Sequence, residues 1–230
     1  MLRMLTPLFY VNVVLKFHCM MKKVVSMRRF ILTALVSLFA LNAAQSTAAA
    51  ASTTQTVIFV RHGEKPEAGL GQLSCRGLNR SLKLPAVIAK QFGKPTAVFA
   101  PNPSEEKDDK GETYAYVRPL ATVEPTAIAL GLPVDTRFGF EDIDKLEEAL
   151  DAPAYRNATV LVGWEHKQIV KLVRDIVKEN GGDKHSVPKW SGDDFDSIYV
   201  LRITRDGEKT DVQFERRNQG LNDLPETCPL

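Results

Sequence analysis

Apolar residues in this chain come in short unbroken runs more often than in strict alternation. Residues 56–60 (Thr-Val-Ile-Phe-Val), 96–100 (Thr-Ala-Val-Phe-Ala) and 159–164 (Thr-Val-Leu-Val-Gly-Trp) are such runs. Runs of this length, rich in β-branched and aromatic side chains, predict strands buried on both faces, as in parallel sheets. Between them the period lengthens. Leu78, Leu82, Ile88 and Phe92 give residues 77–92 a roughly helical spacing, with Pro85 expected to interrupt it and Gly93-Lys94-Pro95 to end it. A helix over 120–130 is predicted to stop at Gly131, and two more, over 142–150 and 169–177, close at Pro153 and Asn180-Gly181-Gly182. Residues 197–204 and 211–216 flank Arg205-Asp206-Gly207-Glu208, a hairpin signal. Strands alternating with helices predict an α/β domain. It reads as a three-layer αβα sandwich, its mostly parallel sheet covered by helices on both faces and finished by a C-terminal antiparallel hairpin. Residues 102–113, with Glu105, Glu106, Lys107, Asp108, Asp109 and Lys110, read as a solvated loop placed where it can act as a lid. Residues 66–72 read as a Gly-rich loop.

Composition separates residues 1–50 from residues 51–230. The first fifty hold Arg3, Lys16, Lys22, Lys23, Arg28 and Arg29 and no acidic residue. A basic segment from Met21 to Arg29, an apolar stretch from Phe30 to Ala44 and small residues at Ala48-Ala49-Ala50 fit a cleavable secretory signal peptide. The apolar stretch is short of the roughly 20 residues a spanning helix needs, which makes an uncleaved membrane anchor the weaker alternative. Met21 and Met27 are both possible true starts. The whole chain has 30 Lys+Arg against 28 Asp+Glu; without those six basic residues the count becomes 24 against 28, near −4. The domain is therefore mildly acidic, which argues against a nucleic-acid-binding surface. A periplasmic or secreted location is expected, with no membrane contact once the leader is removed.

Cys75 and Cys228 remain after Cys19 leaves with the leader. In an oxidising compartment two cysteines favour pairing, and the alternative of two unpaired thiols stays open at this stage. Their spacing does not suit a metal site.

Polar chemistry gathers where the apolar runs end. Residues 56–60 run into Arg61-His62-Gly63-Glu64, and residues 159–164 run into Glu165-His166. Arg118, with Thr122 four residues on, stands at or just before a helix. In open α/β sheets ligands bind beyond the carboxyl ends of the strands. Two histidines and two arginines at that edge suit a tetrahedral dianion, because the guanidinium fork matches phosphate oxygens in pairs. A neutral imidazole can attack phosphorus. Asp193, Asp194 and Asp196 follow Trp190 and read as a polar loop before a strand rather than a divalent-metal cluster.

These residues carry a family resemblance. Val60-Arg61-His62-Gly63-Glu64 resembles the signature of the histidine phosphatase superfamily, in its phosphoglycerate mutase-like branch. Leu73 to Ser81, Arg118 to Thr122 continuing to Pro133, and Thr159 to His166 resemble further family segments more loosely, so that the likeness covers most of residues 56–205. The resemblance implies that His62 is the nucleophile and forms a phosphohistidine, and that Arg61, Arg118 and His166 bind the phosphoryl group. It also implies catalysis with no metal or other cofactor, and an acidic residue that protonates the leaving group. Glu141, after Phe138-Gly139-Phe140, and Glu165 are the two candidates for that acid, although strand alternation aims Glu165 away from His166. The chain departs from the family pattern at Trp164-Glu165-His166-Lys167, where Ser-His-Gly or Gly-His is usual, and at Ala100-Pro101, where Ser-Pro precedes the arginine. The expected function is an exported, metal-independent phosphomonoester hydrolase acting on a small phosphorylated substrate. A non-catalytic phosphate-binding domain on the same fold is the second reading.

Overall fold

The structure, a computed structural model, describes residues 51–229. The expected leader over residues 1–50 and its candidate starts lie outside the described residues. Eight strands form among those described: β1 (Thr53–Arg61), β2 (Ala97–Phe99), β3 (Glu106–Asp109), β4 (Glu112–Ala115), β5 (Val134–Asp135), β6 (Thr159–Trp164), β7 (Ser197–Asp206) and β8 (Lys209–Asn218). Six of them make one sheet in the order β5-β2-β6-β1-β7-β8, while β3 and β4 pair separately. β1 runs parallel to β6, and β6 to β2 and β2 to β5; β7 is antiparallel to β1 and to β8. The helices are α1 (Cys75–Phe92), α2 (Arg118–Leu130), α3 (Ile143–Leu150) and α4 (His166–Glu179).

The central strand explains the layering. Val57, Ile58, Phe59 and Val60 are all fully buried. Successive residues of a strand point to opposite faces, so a run with no exposed position needs cover on both. Ile58 and Val60 pack with Leu84 and Ile88 of α1 and Val123 and Ala127 of α2. Val57 and Phe59 pack with Ile143, Leu146 and Leu150 of α3 and Ile169 and Val173 of α4. The result is the αβα sandwich with its terminal hairpin.

Two local expectations are corrected. α1 runs unbroken through Pro85. Leu84 and Ile88, on either side of the proline, are fully buried against the sheet. Burying two such side chains is worth about 3–6 kcal/mol, enough to offset the ~3 kcal/mol cost of an interior proline. Residues 102–113 are not a plain loop either, because they contain β3 and the start of β4. Lys110 and Gly111 both have positive φ, at 68° and 89°, which is the backbone of a two-residue hairpin turn. Every residue of β3 is polar, so no apolar alternation announced it.

The edge carrying Arg61 and His62 is closed by a tight crossing. A Cβ on Gly63 would lie 3.0 Å from Gly77, and one on Gly77 would lie 2.4 Å from the Glu64 carbonyl oxygen. Two glycines thus let the first turn of α1 sit directly on the turn that follows His62.

Candidate active site

β1 and β6 are neighbours in the sheet, and Arg61 is in register with Trp164. The chain beyond each strand therefore emerges side by side, and the His62 amide donates to the Trp164 carbonyl at 3.2 Å. His62 is 4% exposed. Its ring stands edge-on to Tyr116 at 6.0 Å and tilted against Phe195 at 6.2 Å. Nδ1 lies 2.8 Å from the Gly63 carbonyl oxygen, which requires the Nδ1–H tautomer and leaves the Nε2 lone pair free. Burial lowers the His62 pKa to about 3, with the nearby charges of Arg61 and Arg118 acting in the same direction and the Gly63 bond opposing. At physiological pH the ring is a neutral base.

The arginines are held from behind. Arg61 donates through Nη1 to the carbonyls of Gly192 (2.6 Å) and Asp194 (3.0 Å), and its guanidinium lies 3.9 Å from the Phe195 ring centre. The polar loop between Trp190 and β7 is thus the support of Arg61. Arg118 is the first residue of α2 and 3% exposed. Thr122, one turn later, donates to the Arg118 carbonyl at 2.8 Å and accepts from the Gly63 amide at 2.9 Å, so α2 is bolted to the turn after His62. Arg118 Nη1 bonds Asp109 of β3. Arg61 Nε, Arg118 Nε and Tyr116 Oη are buried with no aligned hydrogen-bond partner among the described residues. Orphaned donors of this kind are rare in a folded interior and expensive unless something accepts from them.

His166 is the first residue of α4, not a strand residue, so strand alternation does not govern Glu165. Glu165 is the N-cap of that helix, accepting from the Gln168 amide at 2.9 Å, and its Oε1 is 2.8 Å from His166 Nδ1. That second contact is close but not aligned, since His166 Nδ1 has no partner of hydrogen-bond geometry. The expectation that Glu165 points away from His166 is therefore corrected. Burial alone would raise the Glu165 pKa, yet the contacts with His166 and the Gln168 amide hold it at about 2. Glu165 is a carboxylate at neutral pH. Glu141 is exposed at the rim. Burial lowers the pKa of Lys107, with Glu165 and Glu141 acting against it. Lys107 reaches in from β3 to 4.8 Å from the Tyr116 ring centre and 4.4 Å from that of Phe140.

The structure thus gathers Arg61, His62, Arg118, Glu165 and His166 at one buried edge and leaves Glu141 outside them. It adds Tyr116, Phe195, Lys107 and Asp109. A groove of about 950 Å³ opens next to this edge, lined by Lys65, Leu70, Leu73, Val117, Ala121 and Phe195 among others. Another depression, about 850 Å³, lies at the opposite sheet edge among Gln55, Glu147, Asp151, Glu179 and Arg205, away from His62. Cys75 and Cys228 form a disulfide that ties the C-terminal tail to the start of α1.

No protein-family model matches the chain, and no curated protein sequence does. Solved structures do. A mycobacterial hydrolase is 14% identical, with a TM-score of 0.50 over 72% of this chain and 91% of its own. A mycobacterial glucosyl-3-phosphoglycerate phosphatase, solved with inorganic phosphate, is 15% identical, with a TM-score of 0.50 over 71% of this chain and 97% of its own. At such identity the likeness is one of fold. It is the fold that the resemblance to histidine phosphatases implied.

Proposed function

We propose that the chain is a phosphomonoester hydrolase that works through a phosphohistidine on His62. One observation carries the reading: a buried neutral imidazole with a free Nε2 stands beside two buried arginines, each with an unspent Nε–H. A phosphoryl group supplies the oxygens those donors lack and the phosphorus that Nε2 attacks. The shared fold with a phosphatase supports the same conclusion.

In this reading the Nε2 lone pair attacks phosphorus and the P–O ester bond breaks, its electron pair leaving with the alkoxide. Arg61, Arg118 and His166 hold the equatorial oxygens, where charge is spread in the transition state, so arginine rather than a metal answers it. The alkoxide takes a proton from a carboxyl group. We assign that step to Glu141 at the rim, because Glu165 is held ionised as the cap of α4. Water then attacks the phosphohistidine, the P–N bond returns its pair to Nε2, and the carboxylate recovers a proton from that water. The half-apolar groove beside Phe195 takes the organic part of a small phosphorylated substrate.

Export to the periplasm or the outside is part of the proposal, supported by the leader-like composition of residues 1–50 and by the Cys75–Cys228 disulfide. The test is acid-quench trapping of phosphate from a labelled aryl phosphate. The protein is expected to retain label and His62→Ala to retain none and to lose hydrolysis. A wild-type protein that binds phosphate reversibly but never traps label would instead be a phosphate-binding domain.

A further inference from the structure

Asp109 is the least expected residue near the site, since it comes from a stretch of alternating charges that reads as solvent-facing. Its side chain is 2% exposed and it bonds two cations. Oδ2 takes Arg118 Nη1, and Oδ1 takes Lys65 Nζ at 2.6 Å. The position is clamped by both neighbouring segments. The turn at Lys110-Gly111 sets the end of β3, and Gly69 (φ +81°) presses its backbone so close that a Cβ there would lie 2.5 Å from Asp109 Cγ. Gly71 in the same loop accepts from the Arg118 amide at 3.2 Å. The loop over residues 66–72 and the β3–β4 hairpin thus meet at one carboxylate on one arginine.

We infer that Asp109 is a positioning residue for Arg118: it holds Nη1 so that the Nε–H and Nη2–H edge of the guanidinium is presented to the phosphoryl group. The inference rests on the phosphate reading of the site. A guanidinium offers paired N–H bonds along two edges, and a carboxylate on Nη1 leaves the Nε/Nη2 edge whole. Arg118 Nε is indeed buried and unpartnered. A lone carboxylate here would cancel the charge that attracts phosphate. Lys65 prevents that, because Lys65, Asp109 and Arg118 together keep one positive charge. Burial would raise the Asp109 pKa, but the bonds from Lys65 and Arg118 more than reverse it, so the carboxylate stays ionised.

Removing Asp109 alone changes both charge and geometry, so the decisive variant changes geometry only. Lys65→Met combined with Asp109→Ala removes one charge of each sign together with the acceptor of Nη1, and keeps the net charge of the trio. Binding of inorganic phosphate, measured by calorimetry on wild type and on the double variant, is expected to weaken about tenfold, the scale of one charged hydrogen bond. The KM for an aryl phosphate should rise in parallel, with the circular-dichroism spectrum unchanged. Asp109→Asn alone, which keeps an acceptor for Nη1, should bind phosphate better than Asp109→Ala. Phosphate binding by the double variant equal to wild type overturns the inference and leaves the hydrolase reading standing. A wild type that binds phosphate but traps no phosphohistidine, with the double variant binding more weakly, overturns the hydrolase reading and leaves the role of Asp109 standing. A wild type that binds no phosphate overturns both.

Discussion

Arg80 and Arg118 are buried equally well and do opposite things. Arg80, on α1, is 1% exposed and spends every nitrogen: Nε and Nη2 on the two Glu64 oxygens at 3.0 and 2.7 Å, Nη2 also on the Leu221 carbonyl at 2.9 Å, and Nη1 on Gln219 at 3.1 Å. Arg118 spends Nη1 on Asp109 and leaves Nε without a partner. Arg76 Nε also lacks an aligned partner, but its charge is answered by Glu64 at 3.5 Å and its side chain is a third exposed. The contrast falls within four consecutive residues, since Arg61 and His62 face the orphaned side while Glu64 faces the satisfied one. Burial alone does not mark a site. What marks it is a buried donor whose hydrogen bonds the protein leaves unmade.

The sharpest way to break this comparison is to delete both arginines in turn. Arg118→Ala should cost about 10²–10³ in kcat/KM for an aryl phosphate, measured where the protein is folded, since Asp109 then keeps Lys65 as its one partner. Arg80→Ala should leave the partly buried Glu64 with only Arg76 at 3.5 Å to answer it and lose about 3 kcal/mol of stability, a fall of roughly 6–12 °C in Tm. If Arg80→Ala melts like wild type, the satisfied side does not hold the fold together.

Next in size is the disulfide, which belongs to the satisfied side. The tail it anchors supplies the Leu221 carbonyl to Arg80, and the Asn222, Pro225 and Thr227 carbonyls to Arg76 and Asn79. Cys228→Ser should lose about 2–4 kcal/mol of stability, read in denaturant. A large loss of turnover at full stability would mean that the tail governs the site.

The smallest effect concerns pH and the orphaned side. The folded protein keeps His62 neutral down to about pH 3, whereas an unfolded chain protonates it near 6.5. Below pH 6.5 the unfolded state therefore binds a proton that the fold refuses, and stability falls as pH drops through that window. The contribution between pH 7 and pH 5 is about 2 kcal/mol, or roughly 4–8 °C in Tm. Glu165, held at about 2, adds to the loss only at lower pH, as its proton returns. His62→Gln should flatten the change between pH 7 and 5; equal acid sensitivity in both proteins would contradict a buried neutral histidine.

Much of the frame could be read from residues alone. Runs with no polar position after an opening threonine, at 56–60, 96–100 and 159–164, had to be covered on two faces, and Asp206-Gly207 had to turn. Arg61, His62, Arg118 and His166 were legible as site candidates because each sits where an apolar run ends or a helix begins, and parallel strands bring such points to one edge. The mismatched second-histidine segment was harder to read. Glu165 was a candidate acid because it sits next to His166, with an assumed strand aiming it away, whereas as the cap of α4 it is held ionised by the Gln168 amide and the close His166 ring.

Sequence by itself determined the layers, the sheet edge where the polar side chains gather and four of those residues, since these follow from local periodicity and from where runs stop. Only the tertiary structure decided which charges are spent. Arg80 and Arg118 are indistinguishable as residue types in helices, and Asp108 and Asp109 are adjacent acids in one charged stretch. A hydrogen bond depends on what lies across the gap, often more than a hundred residues away, and for these side chains the fold alone brings that partner near or leaves it out.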